Sequence, residues 1–337
     1  MSLGGGVYFD SRWIGAHGIG RFAGALRNRL DLYDLRVNGV PSSPLDPLRM
    51  YLAMVGLPRN AVIFSPGYNA PIRVVRPYVF TMHDLNHIDV RENSSVAKRL
   101  YYGLVLRRAC HAARRVLTVS EFSRRRIIDW SGVSPDKVIS VGNGVDSVYR
   151  SEGDLYQPGY PYLLSVSNRK PHKNEIRLIA AFSHARIDRG VRLLFTGDPA
   201  GALLSAIERY GVVGRVGFLG RVEEGRMPAL YRGAIALAFP SLYEGFGLPV
   251  IEAMACGTPV LTSHIAAIDE VASGAALAVD PLSVEGIAFG IQQICDDQTL
   301  RGKLKVAGLR RAEDFSWDKV AGRVWAVLED VKGEVSP

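Results

Sequence analysis

The chain has 337 residues, 47% of them hydrophobic and 22% charged, with a formal net charge of +8 at pH 7. This length predicts about two globular domains, and no apolar run reaches the ~20 residues of a membrane-spanning helix. Its three cysteines, Cys110, Cys256 and Cys295, are too few and too scattered for a disulfide framework or a zinc site. The opening segment 1–10 lacks a charged region and a long apolar stretch, so we expect no signal peptide and a cytoplasmic location.

The positive charge is concentrated in the first part of the chain. Residues 1–150 contain 21 Lys and Arg but 11 Asp and Glu, a balance of +10, so residues 151–337 carry −2. The arginines follow no DNA- or RNA-binding motif, which argues against nucleic acid as a partner. An anionic membrane surface is the better candidate for this basic half.

The chain opens with a predicted strand, Val7–Asp10, a glycine-rich loop, Trp13–Gly24, and a helix. Gly18 and Gly20 begin a G-x-G-x-x-x-G pattern that is also similar to a nicotinamide-dinucleotide fingerprint. Such a site needs an acidic residue at the end of the second strand, and here the pattern dissolves into a Pro/Ser loop, residues 40–47. A dinucleotide oxidoreductase therefore stays an alternative that the sequence does not favour.

Strand-like runs then alternate with helical segments. This alternation predicts an α/β protein with doubly wound parallel sheets. The runs lie at residues 61–64, 79–82, 116–119 and 138–141, and after a polar linker, residues 151–159, at 162–166, 191–195, 216–219, 235–239, 259–262 and 276–279. Ligands bind beyond the carboxyl ends of such strands, which is where His83 lies.

One stretch of the second half combines two carboxylates with a glycine-rich turn. Gly245 and Gly247 allow positive φ, so that Glu244 lies in a loop and Glu252 in a helix that Gly257 can end. The free N–H groups of a helix start suit a diphosphate. Carboxylates accept hydrogen bonds from hydroxyl groups. Together these groups indicate a nucleotide sugar as the ligand.

The spacing Glu-x7-Glu and the residues around it, 240–263, resemble the donor-binding signature of the retaining glycosyltransferases of family 4. The resemblance implies the GT-B fold, with two Rossmann-like doubly wound parallel-sheet domains facing a cleft. It assigns residues 1–152 to an acceptor-side domain and residues 153–315 to a nucleotide-sugar donor domain. The last segment, 316–337, is then a helix that returns to the N-terminal domain.

The resemblance also implies residue roles. Glu244 would bind sugar hydroxyls and Glu252 the ribose diol, while Lys173 and Arg169 would stabilise the departing diphosphate and His83 would help to hold the sugar. For the second cation, Lys170 and His172 remain alternatives to Arg169. The implied donor-binding set is Gly18, Gly20, Arg169, Lys173, Glu244, Gly245, Phe246, Gly247, Leu248 and Glu252.

The implied chemistry is hexosyl transfer with retention, in which the leaving phosphate takes the acceptor's proton. Because a cationic pair supplies the charge and no Asp-x-Asp motif is present, we expect no metal and no cofactor. The phrases His83-Asp-Leu and His172-Lys-Asn resemble bacterial mannosyltransferases of polysaccharide assembly, which favours GDP-mannose over a UDP-sugar such as UDP-glucose. A glycan or lipid-linked acceptor is expected, and a GT-B epimerase or phosphorylase stays an alternative.

A basic helix is predicted at Val96–Arg115. One face carries Leu100 and Leu104 among basic residues, and the opposite face is apolar and buried. The basic residues of this surface are Lys98, Arg99, Arg107, Arg108, Arg114, Arg115, Arg124, Arg125 and Arg126. The pattern predicts salt-sensitive, peripheral binding to anionic lipid, with a merely solvated helix face as the alternative.

Overall fold

The computed structural model describes residues 6–334, so residues 1–5 of the opening segment and residues 335–337 of the last segment lie outside the description. The chain divides into two compact units: residues up to Gly144 together with those from Ser316 onward, and Val145–Phe315. The sequence-based division placed the first boundary after residue 152. Within residues 6–334, no helix is both long enough and apolar enough to cross a bilayer.

Each unit contains a six-stranded parallel sheet, which confirms the predicted α/β class. The first sheet has the order β2-β1-β3-β4-β5-β6 and the second the order β12-β11-β10-β7-β8-β9. The strands are β1 Val7–Phe9, β2 Tyr33–Asp34, β3 Val62–Ser65, β4 Tyr78–Thr81, β5 Arg115–Thr118, β6 Val138–Ser140, β7 Tyr162–Ser165, β8 Arg192–Phe195, β9 Val216–Phe218, β10 Ala236–Phe239, β11 Val260–Ser263 and β12 Leu277–Val279.

Helices connect most successive strands of each sheet, as is usual for parallel pairing; β3 and β4 are joined by residues 66–77 without a helix. They are α1 Gly18–Arg27, α2 Asp46–Val55, α3 Asn86–Asp89, α4 Val96–Tyr101, α5 Arg107–Ala112, α6 Glu121–Ser131, α7 Glu175–His184, α8 Gly201–Arg209, α9 Met227–Gly233, α10 Leu248–Ala255, α11 Ala266–Ala272, α12 Val284–Asp296, α13 Gln298–Ala312 and α14 Trp317–Gly333. A π-helical segment, Tyr102–Leu106, joins α4 to α5.

The first sheet is covered on both faces. One face packs against α1 and α14, whose Phe22, Trp317 and Val324 share a core with Phe9 of β1. The other face packs against α2, the π-helical segment and α6 in a second core. In the second unit, one core includes residues of α7, α8 and α12. Continuous burial explains why most strands were recognisable as apolar runs.

The basic helix differs from its prediction. It ends at Ala112, and Arg115 begins β5, so placing Arg114 and Arg115 on the helix was wrong. The physical reason is that the apolar run after Arg115 enters the sheet, where Arg114 N–H already donates to Tyr78 O at 2.8 Å. Arg115 instead forms ion pairs with Asp330 at 2.7 Å and Glu334 at 2.6 Å on α14.

The second strand also differs from expectation. β2 is a two-residue strand that pairs with β1 and ends at Asp34. An acidic residue therefore does end the second strand, which the sequence pattern had not indicated. The Asp34 carboxylate is exposed and lies 3.6 Å from the Arg27 guanidinium.

The predicted linker, residues 151–159, is attached to the second unit. The Arg232 guanidinium on α9 donates to Asp154 O at 2.8 Å and to Arg150 O at 3.1 Å. Tyr156 N–H also donates to Ala229 O at 2.9 Å. This segment therefore has a fixed course along α9.

Candidate functional site

The predicted donor residues of the second unit follow two neighbouring strands. β7 and β10 pair in parallel, so their carboxyl ends lie at the same edge of the sheet. The segment after β7 carries Arg169 and Lys173, and the segment after β10 carries Glu244. This edge is where ligands of open α/β sheets bind.

The structure brings Lys173 and Glu244 into contact. Lys173 Nζ lies 2.7 Å from Glu244 Oε1, and the side chains are only 13% and 11% exposed. Lys173 Nζ also lies 5.0 Å from the centre of the Phe239 ring at the end of β10. The result is a partly buried cation beside a carboxylate. The binding of a phosphate by Lys173 and of sugar hydroxyls by Glu244 stays a prediction.

Asn174 fixes Lys173 in this position. Its backbone adopts the left-handed conformation, with φ 63°, and α7 begins at the next residue. The Asn174 side-chain amide donates to Pro240 O at 2.9 Å and to Pro281 O at 2.7 Å. Because asparagine tolerates this conformation better than most residues, one side chain turns the chain and ties it to the end of β10.

The Arg169 side chain contacts the segment that follows β8 and not Lys173 or Glu244. Its guanidinium donates to Thr196 O, Gly197 O and Asp198 O at the end of β8, at 2.5, 2.9 and 2.8 Å, and forms an ion pair with Glu175. Among the described residues, no hydrogen bond or ion pair joins it to Lys173 or Glu244. Its assignment as the second phosphate cation stays a prediction, and the exposed Lys170 stays the alternative.

The glycine-rich turn leads directly into α10. Gly247 is its N-cap residue with φ +102°, and as a glycine it supplies no side-chain cap. A Cβ at Gly247 would lie 2.5 Å from Ile268 Cδ1, so this position requires glycine for both conformation and space. Pro249 has no N–H to offer, and Val250 N–H donates to Gly247 O at 2.9 Å. The Leu248 amide therefore remains as the donor of the helix start that an anion would use.

Glu252 is buried on α10, at 4% exposure. Its Oε2 accepts a hydrogen bond from the Tyr231 hydroxyl at 2.8 Å. Tyr231 is itself held by Thr258, whose hydroxyl donates to Tyr231 O at 2.7 Å. The carboxylate is thus oriented from within the protein, and its binding to a ribose diol stays a prediction.

In the first unit, His83 follows β4 and is buried. Its Nε2 lies 2.9 Å from Pro66 O, and since a carbonyl only accepts, Nε2 carries the proton. The ring packs edge-on against Phe22 of α1, with centroids 5.1 Å apart. Burial lowers the pKa of His83, although the Pro66 carbonyl acts in the opposite direction. A neutral imidazole results, with Nδ1 as the nitrogen able to accept a hydrogen bond.

Gly18 and Gly20 lie at the start of α1, in the same unit as His83. His17 caps this helix, because its Nδ1 accepts the Gly20 N–H at 3.0 Å. A Cβ at Gly20 would lie 2.3 Å from Gly15 O, so the loop closes tightly only with glycine there. Their proposed role toward a donor phosphate stays a prediction.

Sequence reasoning missed three supporting residues. Asn174 and Tyr231 orient Lys173 and Glu252, as described above. The third is Tyr68, whose hydroxyl donates to Asp84 Oδ1 at 3.0 Å and accepts the Asp84 N–H at 2.8 Å. Only the asparagine had a local signal, since Asn before a helix commonly turns the chain.

Two family models match the chain. Residues 154–311 match the glycosyl transferases group 1 model, and residues 59–148 match the Glycosyltransferase Family 4 model. O-antigen chain mannosyltransferase B of Escherichia coli is 31% identical over 274 residues, which is 77% of this chain and 72% of that protein. MMP alpha-(1→4)-mannosyltransferase of Mycolicibacterium hassiacum is 31% identical over 251 residues, covering 71% of this chain and 60% of that protein.

Solved structures share the whole architecture. Sucrose-phosphate synthase of Thermosynechococcus elongatus has a TM-score of 0.76 at 18% identity, covering 97% of this chain and 99% of that one. HepE of Anabaena, in complex with UDP and glucose, has a TM-score of 0.77 at 19% identity, with 96% and 99% covered. These similarities show the GT-B fold. With the family models and the E. coli relative, they establish that the chain belongs to the group 1, family 4 glycosyltransferases.

Proposed function

We propose that the protein is a retaining hexosyltransferase. It transfers a hexose from a nucleotide-diphosphate sugar to a glycan or lipid-linked acceptor in cell-surface polysaccharide synthesis. The first candidate for the donor is GDP-mannose, which supplies mannose. The observation that carries the proposal is the Lys173–Glu244 pair at 2.7 Å, with Glu244 in the glycine-rich turn that leads into α10. These groups match the phosphate and the hydroxyls of a sugar diphosphate.

The chemistry follows from the charge that develops. As the bond between sugar C1 and phosphate oxygen breaks, negative charge grows on the diphosphate, and Lys173 and the Leu248 amide at the start of α10 stabilise it. An acceptor hydroxyl attacks C1 from the same face, and its proton passes to the departing phosphate oxygen. Glu244 holds sugar hydroxyls and Glu252 holds the ribose. Arg169, or Lys170 in its place, is the second cation, and His83 accepts a hydrogen bond from the sugar.

Two observations support different donors. The E. coli and M. hassiacum relatives are both mannosyltransferases by name, which favours GDP-mannose. The Anabaena neighbour was solved with UDP and glucose, and this makes a UDP-sugar the second candidate.

Thermal-shift measurements with GDP, UDP and ADP test the donor directly. We expect one nucleoside diphosphate to raise the Tm, and its sugar to be consumed only when an acceptor alcohol is present. NMR of the product then reports whether the anomeric configuration is retained. If no nucleotide stabilises the protein, the proposed function is wrong. Turnover that requires inorganic phosphate would instead indicate a phosphorylase. Turnover of the nucleotide sugar without any acceptor alcohol would indicate an epimerase.

We further propose peripheral binding to anionic lipid through the helix of α4 and α5. Leu100 and Leu104 are 56% and 55% exposed there. In residues 6–334, Lys98, Arg99 and Arg108 have no carboxylate partner. Their charge is therefore available to lipid headgroups. Arg114, Arg115 and Arg126 contribute less than predicted, because each is paired with a carboxylate.

A further inference from the structure

The outer side of α2 is apolar and exposed. Leu45, Leu48, Leu52 and Val55, here called the α2 stripe, follow each other at intervals of three and four residues and so lie on one side of the helix. Their side chains are between 47% and 60% exposed. An exposed row of four large apolar residues usually marks an interaction surface.

The exposure does not come from a loosely attached helix. The opposite side of α2 buries Met50 and Met54 completely in the core. Its first residue, Asp46, is also fully buried and accepts from Arg12 Nη1 at 2.6 Å and from Asn69 Nδ2 at 3.1 Å. The α2 stripe is thus presented outward by a helix fixed at its start and along its inner side.

The charge around the α2 stripe has one sign. Residues 35–83 contain five arginines and a single acidic residue, Asp46. Since Asp46 is buried and paired with Arg12, residues 35–83 expose positive charge and no carboxylate of their own. Arg49, Arg59 and Arg73 have no carboxylate partner among the described residues. A second copy of the chain that used the same surface would meet like charge here, whereas an anionic lipid surface meets opposite charge.

The α2 stripe faces the same side of the molecule as the basic helix. Met54 of α2 and Leu106 of the π-helical segment are buried in the same core on one face of the sheet. The outer sides of both elements therefore point away from that face. Exposed Ile72 lies on the segment between them: its N–H donates to Pro47 O at 2.9 Å, and Tyr101 of α4 donates to Tyr68 O at 3.1 Å.

We propose that the α2 stripe enters the interfacial region of an anionic bilayer, while Arg49, Arg59 and Arg73 contact its headgroups. The basic helix supplies long-range attraction, and the stripe supplies the apolar contact that salt does not screen. The inference rests on the proposed use of a membrane-borne acceptor. It adds the surface by which the first unit is held against the lipid.

Vesicle sedimentation tests the proposal with the full chain. Wild-type protein should bind vesicles of phosphatidylglycerol and phosphatidylcholine. At about 0.5 M NaCl the attraction between charges is largely screened, and the part of the binding that comes from apolar contact should persist. Leu48→Ser/Leu52→Ser should reduce partitioning by about tenfold or more and abolish the salt-resistant part. The matched control is Leu204→Ser/Val213→Ser, which changes two exposed apolar residues of the second unit.

A second readout reports insertion directly. An environment-sensitive dye on Leu52→Cys, in a Cys295→Ser background, should brighten with anionic vesicles, whereas the same dye on Val213→Cys should not. Wild-type binding by the serine variant, or no change at the labelled stripe, overturns the inference. So does a loss of self-association in ultracentrifugation without a loss of lipid binding, since the stripe would then be a dimer contact. Nucleotide-induced Tm shifts should be equal in all variants, so failure of the donor proposal is seen separately.

Discussion

Replacing Lys173 by methionine removes the charge but keeps a side chain of similar length over Phe239. In the wild type, the two charges lie 2.7 Å apart, which corresponds to an attraction of about 6 kcal/mol at an effective dielectric constant of ~20. The desolvation of both groups offsets most of this attraction. Both side chains keep some contact with water, so we expect a loss of about 2 kcal/mol in unfolding free energy. That is less than the ~3–5 kcal/mol of a fully buried pair.

The effect on catalysis has a different origin. In the proposed mechanism, Lys173 faces charge that grows in the transition state, so kcat should fall about 100-fold, or about 2.7 kcal/mol in the barrier. The nucleotide Kd should change only a few fold, because in the proposed site the ground-state diphosphate is also bound by the Leu248 amide.

A double-mutant cycle separates the two effects. In Lys173→Met/Glu244→Gln neither group is left charged without its partner, so the unfolding free energy in urea should return to within about 1 kcal/mol of wild type. Turnover should remain low. The control Lys303→Met changes an exposed lysine of α13 and should affect neither quantity. A Lys173→Met enzyme with wild-type kcat, or a double variant that regains activity together with stability, would refute the catalytic role.

Three further outcomes are expected. Because burial lowers the pKa of His83, the unfolded chain binds a proton below about pH 6.5 that the folded chain does not. The unfolding free energy of the wild type should then fall on acidification by up to about 1.4 kcal/mol per pH unit relative to that of His83→Gln. An equal change in unfolding free energy for both proteins between pH 7.5 and 5.5, measured in urea, would contradict this. Glu252→Ala should weaken nucleotide binding in calorimetry by about tenfold. Tyr231→Phe, which removes only the hydrogen bond to the carboxylate, should weaken it less. Equal affinity in the wild type and both variants would exclude the ribose role. If Lys173 and the start of α10 stabilise the diphosphate charge as proposed, activity should survive EDTA. Loss of activity that Mg²⁺ restores would show a metal requirement.

The sequence predicted the buried strands well and the exposed elements poorly. Residues 79–82 were predicted as a strand and β4 is Tyr78–Thr81, because a strand covered on both faces is a continuous apolar run. β2 was missed since it has only two residues, both exposed. The helix α2 was missed for the opposite reason: leucines on its outer side add to methionines on its inner side and hide the helical period.

The donor residues show the same division. The local placement of Glu244, Gly247 and Glu252 was predictable, because a glycine-rich turn and a proline at the helix start put Glu244 in a loop and Glu252 on a helix. Their roles toward a donor stay predictions. The direction of the Arg169 side chain was not predictable. Its partners include three backbone carbonyls 27 to 29 residues away, and a carbonyl carries no information about residue type. Tyr231, 21 residues before Glu252, is equally invisible to a local motif.

The two proposed binding surfaces differ in how the chain encodes them. A diphosphate needs a particular backbone geometry, and a contiguous motif such as the Glu244–Glu252 stretch fixes that geometry within one turn and one helix. A lipid surface needs only a side of the molecule that is apolar and basic, and the first unit builds that side from α2, Ile72 and α4, which are distant in sequence. The net charge of the sequence overstates the positive charge available on this side, because Arg115 and Arg126 are paired with carboxylates that only the fold brings to them. The proposed lipid-binding surface should therefore be compared among relatives by unpaired charge and exposed apolar area, and the proposed donor site by sequence motif.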